Sequence, residues 1–207
     1  MAYPARTVKF VTLNYMEIVG IDEVGRGCLA GPLLVVAARA ISELPSGLDD
    51  SKVLSRQVRE ELFILLAEAC EFGEGWVKSS EIDGLGLTAA TKLGVRRALR
   101  NLRVAKDEPI VMDGNYNYAP GIYKNVSVII AADALVPIVS AASIYAKVRR
   151  DEYMRSLAHR YPKYGFETNV GYGTAFHLAA IDSLGIIKNL HRRSFGPLQL
   201  LQENLER

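Results

Sequence analysis

The chain has 207 residues, of which 49% are hydrophobic and 23% charged, a composition that fits one globular domain with a substantial core and excludes a disordered chain. Lys and Arg number 25 against 23 Asp and Glu, and the net charge of +2 neither requires nor excludes a nucleic-acid partner. The two cysteines predict no disulfide framework and no zinc site. No apolar run is long enough to predict a membrane span or a signal peptide, so we expect a cytoplasmic protein.

The first half of the chain is predicted to alternate between strands and helices. Apolar and β-branched runs predict strands at residues 17–23, 33–38 and 76–78, and amphipathic patterns predict helices at 55–71, 80–83 and 88–103. Ser55 is a typical N-cap residue. Gly73 and Gly75 are expected to close the first of these helices, with Cys70 on its buried face.

The second half is richer in helices. We predict strands at 109–114 and 126–130, helices at 137–160 and 174–184, a loop at 161–173, a basic loop at 190–197 and a terminal helix over the last ten residues. Pro137 suits a helix start and Gly185 a helix end. This order predicts an α/β fold with a mixed β-sheet flanked by helices on both sides. We expect one domain over 1–207, in which about 186–207 form a C-terminal basic loop and helix.

Acidic residues follow three of the predicted strands. Asp22 and Glu23 end the first, Asp113 ends the strand at 109–114, and Asp133 comes shortly after the strand at 126–130. Four carboxylates that converge at one edge of a sheet would repel one another unless cations neutralised them. Oxygen ligands favour Mg²⁺ or Mn²⁺, and two such ions roughly 4 Å apart can activate water and stabilise a leaving oxygen in phosphodiester cleavage. The pattern therefore predicts a metal-dependent site.

A Gly-Arg-Gly turn comes directly after the first acidic pair. Gly25 and Gly27 lack a Cβ, so the backbone there can turn sharply or approach a ligand closely. Arg26 carries a planar guanidinium suited to phosphate. The stretch therefore places possible metal ligands beside a backbone that could meet a polyanion.

Several short motifs, in the same order, give the chain a resemblance to bacterial ribonuclease HII over nearly its whole length. They are Ile21 to Gly27 with Ala30-Gly31-Pro32; Asp50-Ser51-Lys52; Met112 to Asn115; Asp133 with Ser140 to Ile144 and Ala146-Lys147-Val148; Tyr161-Pro162 with Tyr164-Gly165; Gly171 to Thr174; and His191 to Phe195. The resemblance implies a ribonuclease H-like fold. It also implies endonucleolytic cutting of RNA in RNA–DNA hybrids, and of single ribonucleotides in duplex DNA, leaving 3′-hydroxyl and 5′-phosphate ends.

The resemblance implies a role for each motif. It implies that four acids bind metal and act in catalysis: Asp22, Glu23, Asp113 and Asp133. Two divalent ions, Mg²⁺ or Mn²⁺, are expected with substrate, and Asp22, on the central strand, is expected to bridge them. Substrate-binding roles fall on Gly25, Arg26, Gly27, Ser51, Lys52 and Tyr172.

Each substrate-binding residue has its own expected contact. The backbone of the Gly-Arg-Gly turn would recognise the ribose 2′-hydroxyl, the group that distinguishes RNA from DNA. Ser51 and Lys52 would contact phosphates. Tyr172 would pack on the neighbouring sugar, and the cut would fall on the 5′ side of the ribonucleotide.

Some residues depart from the family pattern or stay open. Val53 stands where a second basic residue is common, and Asn169-Val170 replaces a more basic stretch. Ser143 and Lys147 share one helix face and could point either to the site or to solvent. The basic stripe of the second long helix is interpreted as solvated; its members are Arg96, Arg100 and Arg103. We expect a structural role for His191.

Three alternatives compete with the main interpretation. Ribonuclease HIII resembles the chain in its acids but carries an additional N-terminal domain and usually another residue in place of Arg26. A hybrid-binding module without activity would not need all four acids, and a resolvase or integrase would cut DNA that lacks ribose. We expect a monomer whose partners are RNA–DNA hybrids and ribonucleotide-containing duplex DNA, with no membrane partner; protein partners are not predicted.

Overall fold

A computed structural model describes residues 14–49 and 51–199. Its centre is a five-stranded sheet with the strand order β3-β2-β1-β4-β5. The strands are β1 Val19–Val24, β2 Leu33–Ala40, β3 Cys70–Val77, β4 Ile110–Asp113 and β5 Val126–Ile129. Strands β1, β2 and β3 are antiparallel neighbours, whereas β4 runs parallel to β1 and β5 runs parallel to β4. The predicted mixed sheet is therefore confirmed, with β1 at its middle.

Seven α-helices lie wholly within the described residues, and a further helical stretch begins at residue 196. They are α1 Arg56–Ala69, α2 Ser79–Leu85, α3 Leu87–Asn101, α4 Ala132–Leu135, α5 Pro137–Ser156, α6 Phe166–Asn169 and α7 Ala175–Leu184. Ser55 caps α1 by accepting a hydrogen bond from the Val58 N–H, and Thr174 caps α7 in the same way through the His177 N–H. Most of the predicted terminal helix, and Asp50, lie outside the described residues.

Alternate residues of the central strands bury opposite faces of the sheet. Leu34 and Val36 of β2 pack with α1 and α5, whereas Leu33 and Val35 pack with α2 and α3. Every residue of β2 except Arg39 is buried, as expected for a strand covered on both sides. No helix in the described part of the chain is long and apolar enough to cross a membrane.

The predicted boundary between α1 and β3 is wrong. Cys70, Gly73 and Gly75 belong to β3, which begins where α1 ends. A Cβ on Gly73 would lie 2.2 Å from the Ala98 carbonyl oxygen, and one on Gly75 would lie 2.0 Å from that of Gly94. The glycines are needed because α3 packs directly on the backbone of β3.

A third apolar cluster joins the C-terminal part of the chain to the first loop. Leu29 packs there with Met154, Phe166, Ile181 and Leu190. The predicted loop at 161–173 contains a short 3₁₀ turn, Pro162–Tyr164, followed by α6. An isolated β-bridge between Ala30 and His191 extends the same junction. Residues 161–192 are therefore packed against the loop that follows β1.

Candidate active site

Three of the predicted acids meet at one edge of the sheet. Asp22 and Glu23 lie near the carboxyl end of β1, and Asp113 is the last residue of β4. The parallel register pairs Ile21 with Met112, so Asp113 lies level with Asp22. This placement agrees with the prediction that acids at strand ends would converge.

Asp133 reaches the site from a helical turn, and not from a strand end as the sequence predicted. It is the second residue of α4 and is buried. The Ala132 N–H donates a hydrogen bond of 2.7 Å to Asp113 Oδ1, which ties the start of α4 to the end of β4. The backbone carbonyl of Asp133 accepts a bond of 2.6 Å from Ser140 Oγ of α5.

The paired carboxylates on β1 are held in an unfavourable electrostatic environment. Burial raises the pKa of Asp22 well above its ordinary value, and the neighbouring Glu23 charge raises it further. Burial also raises the pKa of Glu23, although Arg26, whose Nη1 donates to Glu23 Oε1 at 3.1 Å, opposes this shift. Asp113 lies close enough to raise the pKa of both groups. These acids therefore favour the arrival of positive charge.

The donor chemistry fits a divalent cation. Carboxylate oxygens are the ligands that Mg²⁺ and Mn²⁺ prefer. Lys52 Nζ lies 3.3 Å from Asp133 Oδ2 and close enough to Glu23 to lower the pKa of that group. Its ammonium group therefore supplies positive charge between the acids. No three His, Cys, Asp or Glu side chains among the described residues are close enough to hold one metal ion, so water or substrate oxygens would have to complete the ligands of a cation.

A cleft of about 460 Å³ opens beside the acids and is lined by most of the predicted site residues. The predicted site residues that line this cleft are Asp22, Glu23, Gly25, Arg26, Gly27, Ser51, Lys52 and Tyr172. Ser143 and Lys147, which the sequence left open, also line it. The Ser51 and Ser143 hydroxyls are 2.9 Å apart, and Ser143 also bonds to Asp22, so α5 contributes directly to the cleft.

The Gly-Arg-Gly turn forms one wall of the cleft. Gly25 has a φ of 84°, and a Cβ there would lie 2.1 Å from Arg150 Nε, so both the backbone conformation and the space require glycine. The Arg26 guanidinium donates to Glu23 and, through Nη2, to the Tyr118 hydroxyl at 2.8 Å. The backbone N–H groups of Arg26 and Gly27 donate to no acceptor among the described residues.

Arg150 is a buried support that the sequence analysis missed. Its side chain is fully buried and donates to three backbone carbonyls: Pro32 at 2.9 Å, Val170 at 2.9 Å and Ala30 at 3.1 Å. Val170 is a β-branched residue with a φ of 42°, a strained conformation that this contact stabilises. Arg150 therefore joins the loop after β1 to the segment that carries Tyr172.

Arg192, in the predicted basic loop at 190–197, is a second buried support for the site. It is fully buried, and its Nη1 donates to the Arg26 carbonyl at 2.9 Å while Nε and Nη2 donate to the Gly31 carbonyl. Burial lowers its pKa to about 10, which leaves the group charged at neutral pH. The next turn is fixed on α2, because Asp83 accepts bonds from the Arg193 and Ser194 N–H groups. The C-terminal segment thus supports the Gly-Arg-Gly turn.

Tyr172 lines the same cleft as that turn. Its side chain keeps 38% of its exposure, and Lys147 Nζ lies 5.6 Å from the ring centroid. Its hydroxyl bonds to the buried Cys28 thiol, and burial raises the pKa of Tyr172 to about 12. The tyrosine is therefore neutral at working pH, with part of its ring free to meet a ligand.

A buried histidine pair holds the backbone of Tyr172, and His191 has the structural role that the sequence predicted. The Ile187 N–H donates to His191 Nδ1 at 2.8 Å, so the proton of a neutral His191 is on Nε2. That nitrogen lies 3.1 Å from His177 Nε2, and His177 Nδ1 can then donate to the Tyr172 carbonyl at 2.8 Å. Burial lowers the pKa of His191 to about 4, which keeps it neutral.

Solved structures show which class of protein this fold and this sheet edge define. The ribonuclease H2 from Pyrococcus horikoshii OT3 matches with a TM-score of 0.72 and 25% identity, over 92% of this chain and 99% of that one. Ribonuclease HIII from Bst, solved with Mn²⁺, matches with a TM-score of 0.73 over 95% of this chain and 72% of that one; at 21% identity this likeness shows the fold alone. The fold is that of the ribonuclease H enzymes.

Sequence comparison identifies the family within that class. The Ribonuclease HII family model matches residues 19–197. Ribonuclease HII of Novosphingobium aromaticivorans is 43% identical over 195 residues, covering 90% of this chain and 99% of its own. That of Jannaschia sp. is 41% identical, covering 87% of this chain and 90% of its own. The chain belongs to the ribonuclease HII family, and it is a hydrolase with ribonuclease H activity.

Proposed function

We propose that this enzyme cleaves the RNA strand of RNA–DNA hybrids and nicks duplex DNA on the 5′ side of single embedded ribonucleotides, leaving 3′-hydroxyl and 5′-phosphate ends. One observation carries the proposal. The buried Asp22 and the half-buried Glu23 come just before Gly25 to Gly27, and these residues line one cleft together with Tyr172. Groups suited to metal binding thus lie next to groups suited to inspecting a sugar.

Four acids are proposed to hold the divalent cations on which cleavage depends: Asp22, Glu23, Asp113 and Asp133. The raised pKa values of Asp22 and Glu23 support this assignment, because they record a site with too much negative charge and too little solvent. When bound, two divalent cations supply an activated water and stabilise the leaving oxygen. The central position of β1 supports Asp22 as the shared ligand.

The Gly-Arg-Gly turn is proposed to recognise the ribose. The N–H groups of Arg26 and Gly27, which have no acceptor within the described residues, can donate to a 2′-hydroxyl, and Arg192 fixes the turn by binding the Arg26 carbonyl. A deoxyribose would leave these donors unsatisfied, at a cost of about 1–3 kcal/mol, or roughly a five- to hundredfold preference. Because that preference is modest, a second contact is needed for a single ribonucleotide in DNA.

Tyr172 is proposed to provide that second contact by packing on the neighbouring deoxyribose, where an additional hydroxyl would fit badly. Its partly exposed ring and fixed backbone support this role. Ser51 and Lys52, which also line the cleft, are proposed to contact backbone phosphates. Arg59 supports them, because its Nη1 donates to the Ser51 carbonyl at 2.8 Å.

The decisive experiment compares three duplexes under single-turnover conditions: one with a single ribonucleotide, one long RNA–DNA hybrid and one of DNA alone. We expect Mg²⁺- or Mn²⁺-dependent cutting of the first two and none of the third. Asp113→Asn keeps the shape of the side chain but removes a charge, so it should abolish most cleavage while leaving hybrid binding intact or tighter. Cleavage of the DNA duplex, or near-normal turnover by Asp113→Asn, would contradict the proposal. Binding without cutting would indicate a hybrid-binding module.

A further inference from the structure

A second concave surface lies beside the catalytic cleft. This groove, of about 750 Å³, runs between one face of α3 and the loop at 117–121 that follows β4. Its charged lining residues are all basic: Lys92, Arg96 and Arg97. The chain as a whole is nearly neutral, so a groove with cations alone is a local departure from its average charge.

Two of the three cations are available to a ligand. Arg97 is engaged by Glu81 at 2.7 Å and by the Trp76 carbonyl, so it is part of the fold. Lys92 and Arg96 are exposed, and neither forms an ion pair with an acidic side chain in the described part of the chain. They lie four residues apart, which places their Cα atoms about 6 Å apart along one face of α3.

Aromatic contacts join the groove to the cleft. Tyr118 lines the groove, and its hydroxyl accepts a hydrogen bond from Arg26, which lines the cleft. Tyr116 is 47% exposed, and Lys92 Nζ lies 5.4 Å from its ring centroid. Lys92, Arg26 and the half-exposed Tyr116 therefore lie where the groove meets the cleft, whereas Tyr118, which joins the two, is itself buried.

We propose that this groove binds the sugar–phosphate backbone of the substrate duplex on one side of the cut, with Lys92 and Arg96 each contacting a phosphate. The inference rests on the proposed function, since it extends the path of the same nucleic acid beyond the catalytic cleft. Such contacts strengthen binding without reading sequence, and each makes affinity more sensitive to salt. Arg96, one of the three members of the basic stripe that the sequence analysis assigned to solvent, thus gains a role.

The test measures dissociation constants in chelator, so that no strand is cut. The probes are a short duplex centred on one ribonucleotide and the same duplex lengthened by one helical turn on its 5′ or its 3′ side. For the wild type, lengthening on one of the two sides should strengthen binding. Lys92→Gln/Arg96→Gln should lose that gain and still bind the short duplex normally.

Salt dependence gives a second measure with a defined size. Loss of two phosphate contacts should make the plot of log association constant against log salt concentration less steep, by about 1.8 in its slope. Between 50 and 200 mM salt, the wild type should then lose roughly twelvefold more affinity for the lengthened duplex than the double variant does. Lys106→Gln is the control, because it removes an exposed charge that precedes β4, at the sheet end opposite the acids.

The outcomes separate the groove from the catalytic proposal. The inference is overturned if lengthening the duplex strengthens binding equally in wild type and double variant, or if it strengthens binding on neither side. It is also overturned if the double variant loses equal affinity for the short and the lengthened duplexes. Cleavage of the short duplex with Mg²⁺ is measured in parallel and should be unchanged in the double variant. If the wild type fails to cut it, the proposed function fails, whereas the binding comparison still decides what the groove does.

Discussion

Replacing Arg150 with methionine should strongly destabilise the protein, because methionine replaces the apolar stem of the side chain but not its guanidinium group. The substitution removes the donor from three buried carbonyls: Pro32, Val170 and Ala30. Methionine can fill the space beneath Gly25 but cannot bind any of these oxygens. Two loops of the candidate site would therefore lose their common support.

The size of the effect follows from the number of acceptors left unpaired. Each buried polar group that loses its partner costs about 1–3 kcal/mol, so three carbonyls give roughly 3–9 kcal/mol, and local relaxation lowers the sum toward the smaller figure. We expect a loss of about 3 kcal/mol or more. In a chain of this size that is a fall in Tm of about 6–12 °C.

Urea unfolding followed by circular dichroism measures this loss, and Arg149→Met is the matched control. Arg149 is the preceding residue, but its side chain is partly exposed and pairs with Glu74 at 2.8 Å. Removing a partly exposed ion pair should cost about 1 kcal/mol or less. A loss below about 1 kcal/mol in Arg150→Met, or equal losses in the two variants, would refute the claim that the three carbonyls depend on Arg150.

Three further predictions concern the candidate site. In chelator at neutral pH, Asp22→Asn should unfold at the same or a higher temperature than wild type. Because burial raises the pKa of Asp22, ionisation of this carboxyl increasingly destabilises the folded wild type as pH rises. The stability advantage of Asp22→Asn should therefore grow from pH 4 to pH 8. Tyr172→Ala should lose at least about tenfold more activity on a single embedded ribonucleotide than on a long hybrid with Mn²⁺, equivalent to about 1.4 kcal/mol. Burial lowers the pKa of His191, so in acid the unfolded chain binds a proton that the folded chain does not. Wild type should therefore lose up to about 3 kcal/mol of stability between pH 6.5 and 4, and His191→Gln should lose less.

Each of these has a result that would count against it. A large destabilisation of Asp22→Asn would make that carboxylate a structural hydrogen-bonding group. Equal activity losses on the two substrates would make Tyr172 a general packing residue and not a sensor of the junction. An identical acid profile for wild type and His191→Gln would show that the buried histidine pair does not titrate with unfolding.

Local signals explain why much of the fold could be predicted. Apolar runs located the strands, and the cap at Ser55 placed the start of α1 correctly. The start of β3 could not be predicted in this way, because Gly73 and Gly75 look like helix breakers. Their actual cause is the close approach of α3, a tertiary contact that no local pattern contains.

In the candidate site, too, local sequence signals predicted some residues, whereas others depend on tertiary contacts. Acids after β runs could be identified from the sequence, although the helical turn that carries Asp133 could not. The supporting arginines were missed because a charged residue is normally exposed. Arg150 and Arg192 are buried because they bind backbone carbonyls from distant loops. Every residue has a backbone carbonyl, so the sequence does not show which ones will accept these bonds.

The bonds of Arg192 have a consequence for the newly made chain. They reach back 161 residues to Gly31 and 166 residues to Arg26. At a synthesis rate of about 5–20 residues per second, the Gly-Arg-Gly turn waits roughly 8–30 s before Arg192 has been added. During translation the turn lacks the donor that fixes it, so a nascent chain cannot present a finished surface to nucleic acid. Competence is therefore acquired only after Arg192 has been added and its side chain has folded into place.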